Sequence, residues 1–339
     1  MAELWRNQLA DSSQSEGRRS RRIEDCRGDF EEISRLMERS WAENTQQALF
    51  YPADFLASCF EYPGATFSLG PTIYKGSTPL AFGAAFPRRV FVKGQELNLV
   101  IITFLTVASE LKKRGYGILL WSELVKRARA GGFDGMVNYC VEGESMNSMI
   151  LGCCRMLQLP TARAYTIPYW SRMLPPRKVE SAQAEPGADV VEQFLELAAP
   201  IAKQTPLARL WSRKEAEWQC QRRFGSVVAE LASGPRRGML VGYIMPVANA
   251  SRTKCLIVED VFWGDLEPQE RDRLTKALLD RASLAGAQTA VAPHLGYADF
   301  APFHAARFRP SQRVLHAYLT VWNGEPCTEA LPSMYLDVF

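Results

Sequence analysis

Residues 102–132, ITFLTVASELKKRGYGILLWSELVKRARAGG, pass from a strand through a basic glycine turn into a helix. The opening run, ITFLTV, is apolar and rich in β-branched and aromatic residues, which marks a buried strand. Ile118, Leu119, Trp121, Leu124, Val125 and Ala128 then recur at helical spacing, with Glu123, Lys126, Arg127 and Arg129 on the other faces. Between the two lie Lys112, Lys113, Arg114, Gly115, Tyr116 and Gly117. A helix start leaves backbone N–H groups unpaired and carries partial positive charge, so it suits a phosphate. Glycines at 115 and 117 let that backbone approach an anion without a side chain in the way. The bland alternative is a solvated basic turn that binds nothing. A second strand over residues 135–140 and Asn147 beyond it favour the phosphate reading.

A chain of 339 residues fits two domains better than one. With 47% hydrophobic and 23% charged residues it is globular, and a net charge of +3 gives no argument for nucleic acid. No apolar run is long enough to span a bilayer, and residues 1–22 lack the apolar centre of a signal peptide. Eight cysteines without C-x-x-C spacing point to a reducing, cytoplasmic compartment and to no metal site.

Residues 1–21 read as a disordered basic arm. Short strand, helix (residues 28–41), helix (from Pro52) and β-like runs over 65–74 and 79–87 lead into a strand over 88–97 and then the central stretch. A helix over 148–157 and a strand over 161–167 complete a first unit, residues 22–180. A small, polar, proline-bearing stretch at 181–187 separates it from a second, residues 188–339. There the same order recurs: helices from Val190 and over 207–220, strands over 226–231, 238–245 and 255–263, a helix over 268–285, a strand over 289–293, a short helix near 300–306 and a last strand over 314–322. The second copy has Asp265-Leu266-Glu267-Pro268 where the first has its glycine turn, and that acidic segment repels a pyrophosphate.

Lys112-x-x-Gly115-x-Gly117 resembles the R/Q-x-x-G-x-G/A turn with which GNAT acyltransferases grip coenzyme A, with lysine in place of Arg or Gln. A tandem pair in which only the first copy keeps that turn is similar to the N-myristoyltransferases. Further segments carry this resemblance: Trp41-Ala42-Glu43-Asn44 with Tyr51-Pro52-Ala53-Asp54-Phe55-Leu56, Phe104-Leu105-x-Val107, the run from Tyr169 to Lys178, and Tyr318-Leu319-x-x-Trp322. The resemblance implies an α/β fold of two tandem GNAT-like domains, each a mixed central β-sheet flanked by helices. It implies transfer of an acyl group, expected to be fatty, from acyl-CoA or the acyl-phosphopantetheine of a carrier protein to an amine of a peptide or protein.

By the same resemblance the backbone N–H groups of Phe104 and Leu105 stabilise the thioester oxygen. Thr106, Val107, residues 112–117 and Asn147 hold CoA. Glu43, Asn44, Tyr51 and Tyr169 line the acceptor groove, where Glu43 is the lone carboxylate of a loop that is acidic in the family. The C-terminal carboxylate, here that of Phe339, takes the amine proton. Rivals for that base are Glu110, Glu142, Glu144, His294, His304 and His316, and a frayed chain end is the structural alternative. Tyr139, Tyr165 and Trp170 read as core before they read as acyl channel. Two further readings of the whole chain stay open: an acetyltransferase of a small amine, and a non-catalytic CoA- or peptide-binding module.

Overall fold

The computed structural model describes residues 22–42, 49–143, 145–176, 189–247 and 253–338; the basic arm, Glu43, Asn44, Glu144, the inter-unit stretch and Phe339 lie outside them. Pairing begins with β1 (Ile23–Asp25), β2 (Pro71–Lys75), β3 (Thr78–Val92), β4 (Gln95–Val107) and β5 (Gly135–Val141). It continues with β6 (Thr161–Met173), β7 (Leu207–Arg209), β8 (Ser226–Ser233), β9 (Arg236–Pro246), β10 (Lys254–Phe262), β11 (Ala287–Pro293) and β12 (Arg309–Val321). The helices are α1 (Phe30–Ala42), α2 (Ala53–Phe60), α3 (Tyr116–Ala130), α4 (Ser145–Met156), α5 (Val190–Gln204), α6 (Arg213–Glu217), α7 (Pro268–Leu284) and α8 (Ala301–Ala305).

The strands join in one continuous sheet, ordered β1-β2-β3-β4-β5-β12-β6-β11-β10-β9-β8, with β7 on β3. The two halves therefore interleave. The last strand of the chain, β12, sits between β5 and β6, and β6 in turn pairs with β11. Within each half one parallel pair marks the helical crossover: β4 with β5 across α3, and β10 with β11 across α7.

Local chemistry accounts for most elements. On α3, Leu120, Trp121, Leu124, Val125 and Ala128 form the buried stripe, and Gly131 ends the helix. They pack on Val100, Ile102 and Leu105 of β4. On α7, Leu274, Leu278 and Leu279 pack on Leu256, Val258 and Val261 of β10. Glu267 and Glu270 form a capping box at the start of α7, so the acidic segment serves as a helix start. Tandem α/β halves with a central mixed sheet are thus present, in a single shared sheet.

Two sequence expectations are corrected here. The strand over 88–97 is two strands, broken by a tight turn at Lys93 (φ 50°) and Gly94 (φ 89°). Two successive positive-φ residues are what a two-residue hairpin with the sheet's twist requires. The helix over 207–220 begins instead as β7, which pairs with β3, and continues as α6 and a π-helical turn, Trp218–Arg222.

Gly135 opens β5 where β4, β5 and β12 converge. A Cβ there would lie 2.2 Å from the Thr320 carbonyl oxygen and 2.9 Å from Leu99 Cδ2. Gly135→Ala is expected to destabilise the protein by roughly 1–3 kcal/mol through overpacking, read as a lower denaturant midpoint at unchanged m-value. An unchanged midpoint would show that the junction has slack.

Candidate functional site

The parallel ladder between β4 and β5 runs only from Leu99↔Gly135 to Ile102↔Asn138, although both strands continue beyond it. On its other side β4 loses register with β3: Thr103 pairs with Ala84 and Thr106 with Phe82, so Phe104 and Leu105 fall opposite Gly83. This is a β-bulge at the point where two parallel strands part. Phe104 sits at φ 59°, in the left-handed region that is uncommon for an aromatic residue. Its buried ring is held by Tyr51 (5.3 Å between centroids), Phe55 (6.1 Å) and Phe86 (6.1 Å). A Cβ on Gly83 would come within 3.2 Å of both Leu105 Cδ1 and Leu124 Cδ1, so a larger residue opposite the bulge would have to displace both leucine side chains.

From the end of β4 the chain makes a 3-10 turn, Ser109–Leu111, and enters the glycine turn. Lys113 (φ 62°) and Gly115 (φ 83°) both take left-handed backbone, and α3 starts at Tyr116. Lys112 Nζ donates to the Ser40 carbonyl (2.8 Å), and Ser40 Oγ donates to the Val107 carbonyl (2.8 Å). Lys112 thus straps the end of α1 to the turn, while Lys113 and Arg114 are exposed beside the helix start. A Cβ on Gly117 would find only Met149 Sδ (3.6 Å) and Val107 Cγ2 (3.9 Å).

Two amides border this corner. Asn147 is the third helical residue of α4, not its cap, and its Oδ1 is buried without a hydrogen-bond partner among the described residues. Asn138, the last β5 residue paired with β4, accepts from Trp121 Nε1 (3.0 Å) through Oδ1, and its buried Nδ2 has no partner among them. One leaves an acceptor open and the other a donor, the complement of an amide-bearing ligand. Sequence reasoning missed Asn138, whose signal is a lone amide inside the apolar strand GMVNYCV.

The described part of the tail, residues 334–338, is built into the fold. Tyr335 exchanges backbone bonds with Leu207 and Arg209 of β7 (2.7 Å each), and Met334 N–H donates to the Leu295 carbonyl (2.9 Å). Met334, Tyr335, Leu336, Asp337 and Val338 are all buried. Arg88 Nε reaches both oxygens of Asp337 (3.0 Å each) and Arg209 Nη1 one of them (3.0 Å). The Tyr139 hydroxyl donates to the Asp337 carbonyl (2.9 Å). Burial by itself would raise the Asp337 carboxyl, but Arg209 and Arg88 outweigh it and hold it well below the usual carboxylate range.

A second set of buried charges lies beyond the tail. Gln219 Nε2 donates to Glu259 Oε2 (2.6 Å) and Asp260 Oδ2 (2.7 Å), Arg223 pairs with Glu259, and Tyr335 donates to Asp260 (2.9 Å). The Tyr62 hydroxyl donates to Glu215. Burial pushes the Glu215 carboxyl up to about 7.

Of the expected site residues, Phe104, Leu105, Thr106 and Val107 stand in or beside the bulge, and residues 112–117 and Asn147 cluster at the adjoining corner. Tyr51 meets both Phe104 and Trp41 edge-on, and burial pushes its hydroxyl up to about 12. Tyr169 is half-buried on β6, opposite Pro293. The histidines are engaged elsewhere: His294 and His304 pack on Phe300, His304 also on Trp170 (4.4 Å), and His316 lies between Thr166 and Glu142. Glu110 is exposed in the 3-10 turn. Among the described residues no helix is long and apolar enough to cross a membrane and no His/Cys/Asp/Glu group could hold a metal; all eight cysteines are free and buried.

No protein-family model matches the sequence, and no curated protein matches it. Solved structures do. A Saccharomyces cerevisiae N-myristoyltransferase structure with bound myristoyl-CoA superposes with a TM-score of 0.70 at 14% identity, over 93% of this chain and 82% of that one. A second structure of N-myristoyltransferase from the same organism, also with bound myristoyl-CoA, gives 0.69 at 16% identity, over 93% and 86%. The interleaved sheet, the bulged strand and the glycine turn thus belong to a chain that shares the fold of these N-myristoyltransferase structures.

Proposed function

We propose that the protein is an N-acyltransferase that moves a fatty acyl group from acyl-CoA to an amine of a peptide or protein. The observation that carries the reading is the bulge at Phe104 and Leu105, set where β4 and β5 part and one short turn from a glycine-opened helix start. A thioester needs donors where its oxygen gains charge, and the bulge turns the Phe104 and Leu105 backbone out of register with both neighbouring strands. The pyrophosphate goes to residues 112–117, with charge from Lys113 and Arg114. Asn138 and Asn147 offer a donor and an acceptor to the amides of the pantetheine arm.

In the reaction the neutral amine attacks the thioester carbonyl, and the resulting oxyanion is held by the N–H groups of Phe104 and Leu105. The amine proton passes to the α-carboxylate of Phe339, one residue beyond buried Val338, and collapse of the intermediate expels the CoA thiolate. Bound myristoyl-CoA in the two similar structures supports a fatty donor. The filled aromatic wall of Phe55, Phe82, Phe86 and Tyr243 around Phe104 favours a second reading, a short acyl group and a small amine.

Calorimetric titration with CoA thioesters from acetyl to myristoyl separates these. Tighter binding of the long chains, lost in Gly117→Glu, is expected. A preference for acetyl would give the reaction to the small-acyl reading. No binding of any CoA thioester would sink the proposed donor and redirect the search to carrier-bound thioesters.

A further inference from the structure

The first lysine of the glycine turn is engaged at the end of another helix. Lys112 closes the 3-10 turn, with its N–H on the Ser109 carbonyl (3.2 Å), and precedes the left-handed backbone at Lys113 and Gly115. Its side chain is half-buried and reaches the end of α1, where Nζ donates to the Ser40 carbonyl (2.8 Å). The last four carbonyls of a helix have no partner within it, and the backbone dipole makes that end negative. The carbonyl of Ser40, two residues before α1 ends at Ala42, is one of those four, and an ammonium suits it.

This end of α1 is fixed to the acyl bulge along two paths. Ser40 is buried, and its hydroxyl donates to the carbonyl of Val107, the last residue of β4 (2.8 Å). Trp41 follows it and meets the Tyr51 ring edge-on (5.2 Å), and the Tyr51 ring in turn meets Phe104 (5.3 Å). Ser34, earlier on α1, donates to the Tyr51 carbonyl (2.7 Å). Phe104 keeps Phe55 and Phe86 as further supports (6.1 Å each). Tyr51 also touches Phe55 (5.5 Å), but α1 holds it through both ring and backbone. Movement of the end of α1 would therefore displace Tyr51 before it displaced the bulge.

We propose that Lys112 is a positioning residue for the acceptor: its ammonium fixes the end of α1, and through Trp41 the ring of Tyr51, and does not hold the pyrophosphate of the donor. This rests on the acyl-transfer reading above, in which Tyr51 lines the acceptor groove. The glycine turn then has two duties on different residues. Its left-handed backbone, with Lys113 and Arg114, serves the donor, while Lys112 sets the wall that the amine meets.

The test compares the full chain with Lys112→Met, which keeps an unbranched stem and removes the charge, and with Lys112→Arg, which restores a cationic donor. Calorimetric titration with myristoyl-CoA is expected to give affinities within about twofold for all three. Loss of one charge-assisted hydrogen bond is expected to speed amide exchange at residues 39–42 and at Phe50 about tenfold in Lys112→Met. Phe50 reports on the Tyr51 segment because its N–H donates to the Pro246 carbonyl (2.9 Å). With glycinamide and lysinamide as amines, KM for the amine is expected to rise about tenfold while kcat stays within about twofold, the pattern of lost uniform binding. Lys112→Arg is expected to restore both exchange and KM. A myristoyl-CoA affinity about tenfold weaker in Lys112→Met would overturn the proposal by giving the ammonium to the pyrophosphate, and so would unchanged exchange or an unchanged KM. Failure of the acyl-transfer reading is distinguishable, because the unaltered protein would then bind no thioester or acylate neither amine; exchange alone would decide whether Lys112 holds α1 and Tyr51.

Discussion

Replacing Asp337 with alanine is expected to cost roughly 3–5 kcal/mol of stability, the range for removing one partner of a buried ion pair. Arg88 and Arg209 are each 1% exposed as side chains and share this carboxylate. Without it two guanidiniums remain in the interior with their main counter-ion gone. Asp337→Asn keeps the shape and restores an acceptor, but not the charge, and should fall between. The readout is denaturant unfolding at neutral pH; an alanine variant within ~1 kcal/mol of the parent would mean that water or rearrangement replaces the carboxylate. The pH dependence has a definite sign. The folded-state carboxyl is held below its unfolded value, so its contribution is present above the unfolded pKa of about 3.9 and is lost as pH falls through the folded one. Acid unfolding of the parent should therefore be steeper than that of Asp337→Asn.

Adding residues after Phe339 is expected to reduce turnover by about 10²-fold or more, the contribution of a positioned general base, while leaving acyl-CoA affinity intact. Extension would remove the proposed base without touching β4, the glycine turn or α4. The buried tail gives the expectation its physical basis. Tyr335 is stitched to β7, Asp337 is clamped by two arginines and Tyr139 holds the Asp337 carbonyl, so residues 335–337 have little freedom to move aside. Single-turnover kinetics with saturating myristoyl-CoA separate this outcome from a donor-binding defect. Unchanged turnover in the extended protein would remove the terminal carboxylate from the mechanism and return attention to buried carboxyls such as Glu259.

Why the hairpin at Lys93-Gly94 and the strand Leu207–Arg209 escaped sequence reading is instructive. The apolar residues on either side of Lys93-Gly94 read as one run, because the turn has a single glycine and no proline. Leu207–Arg209 is three residues long, and its hydrogen bonds go to β3 and to Tyr335. A strand of that length has no periodicity of its own. Its existence depends on partners that are remote in the chain.

What the sequence by itself determined was the local machinery. A buried strand, a turn with glycine where φ is positive, and an amphipathic helix are each specified by neighbours within a few residues, and so they are legible as residues 102–132. The repeated order of elements was legible for the same reason. Only the tertiary structure decided how the halves interleave, that β12 lies between β5 and β6, and that Asp337 meets Arg88 across 249 positions. Sheet order and buried charge pairing are contacts between distant segments, and a one-dimensional pattern records each partner without recording that they meet.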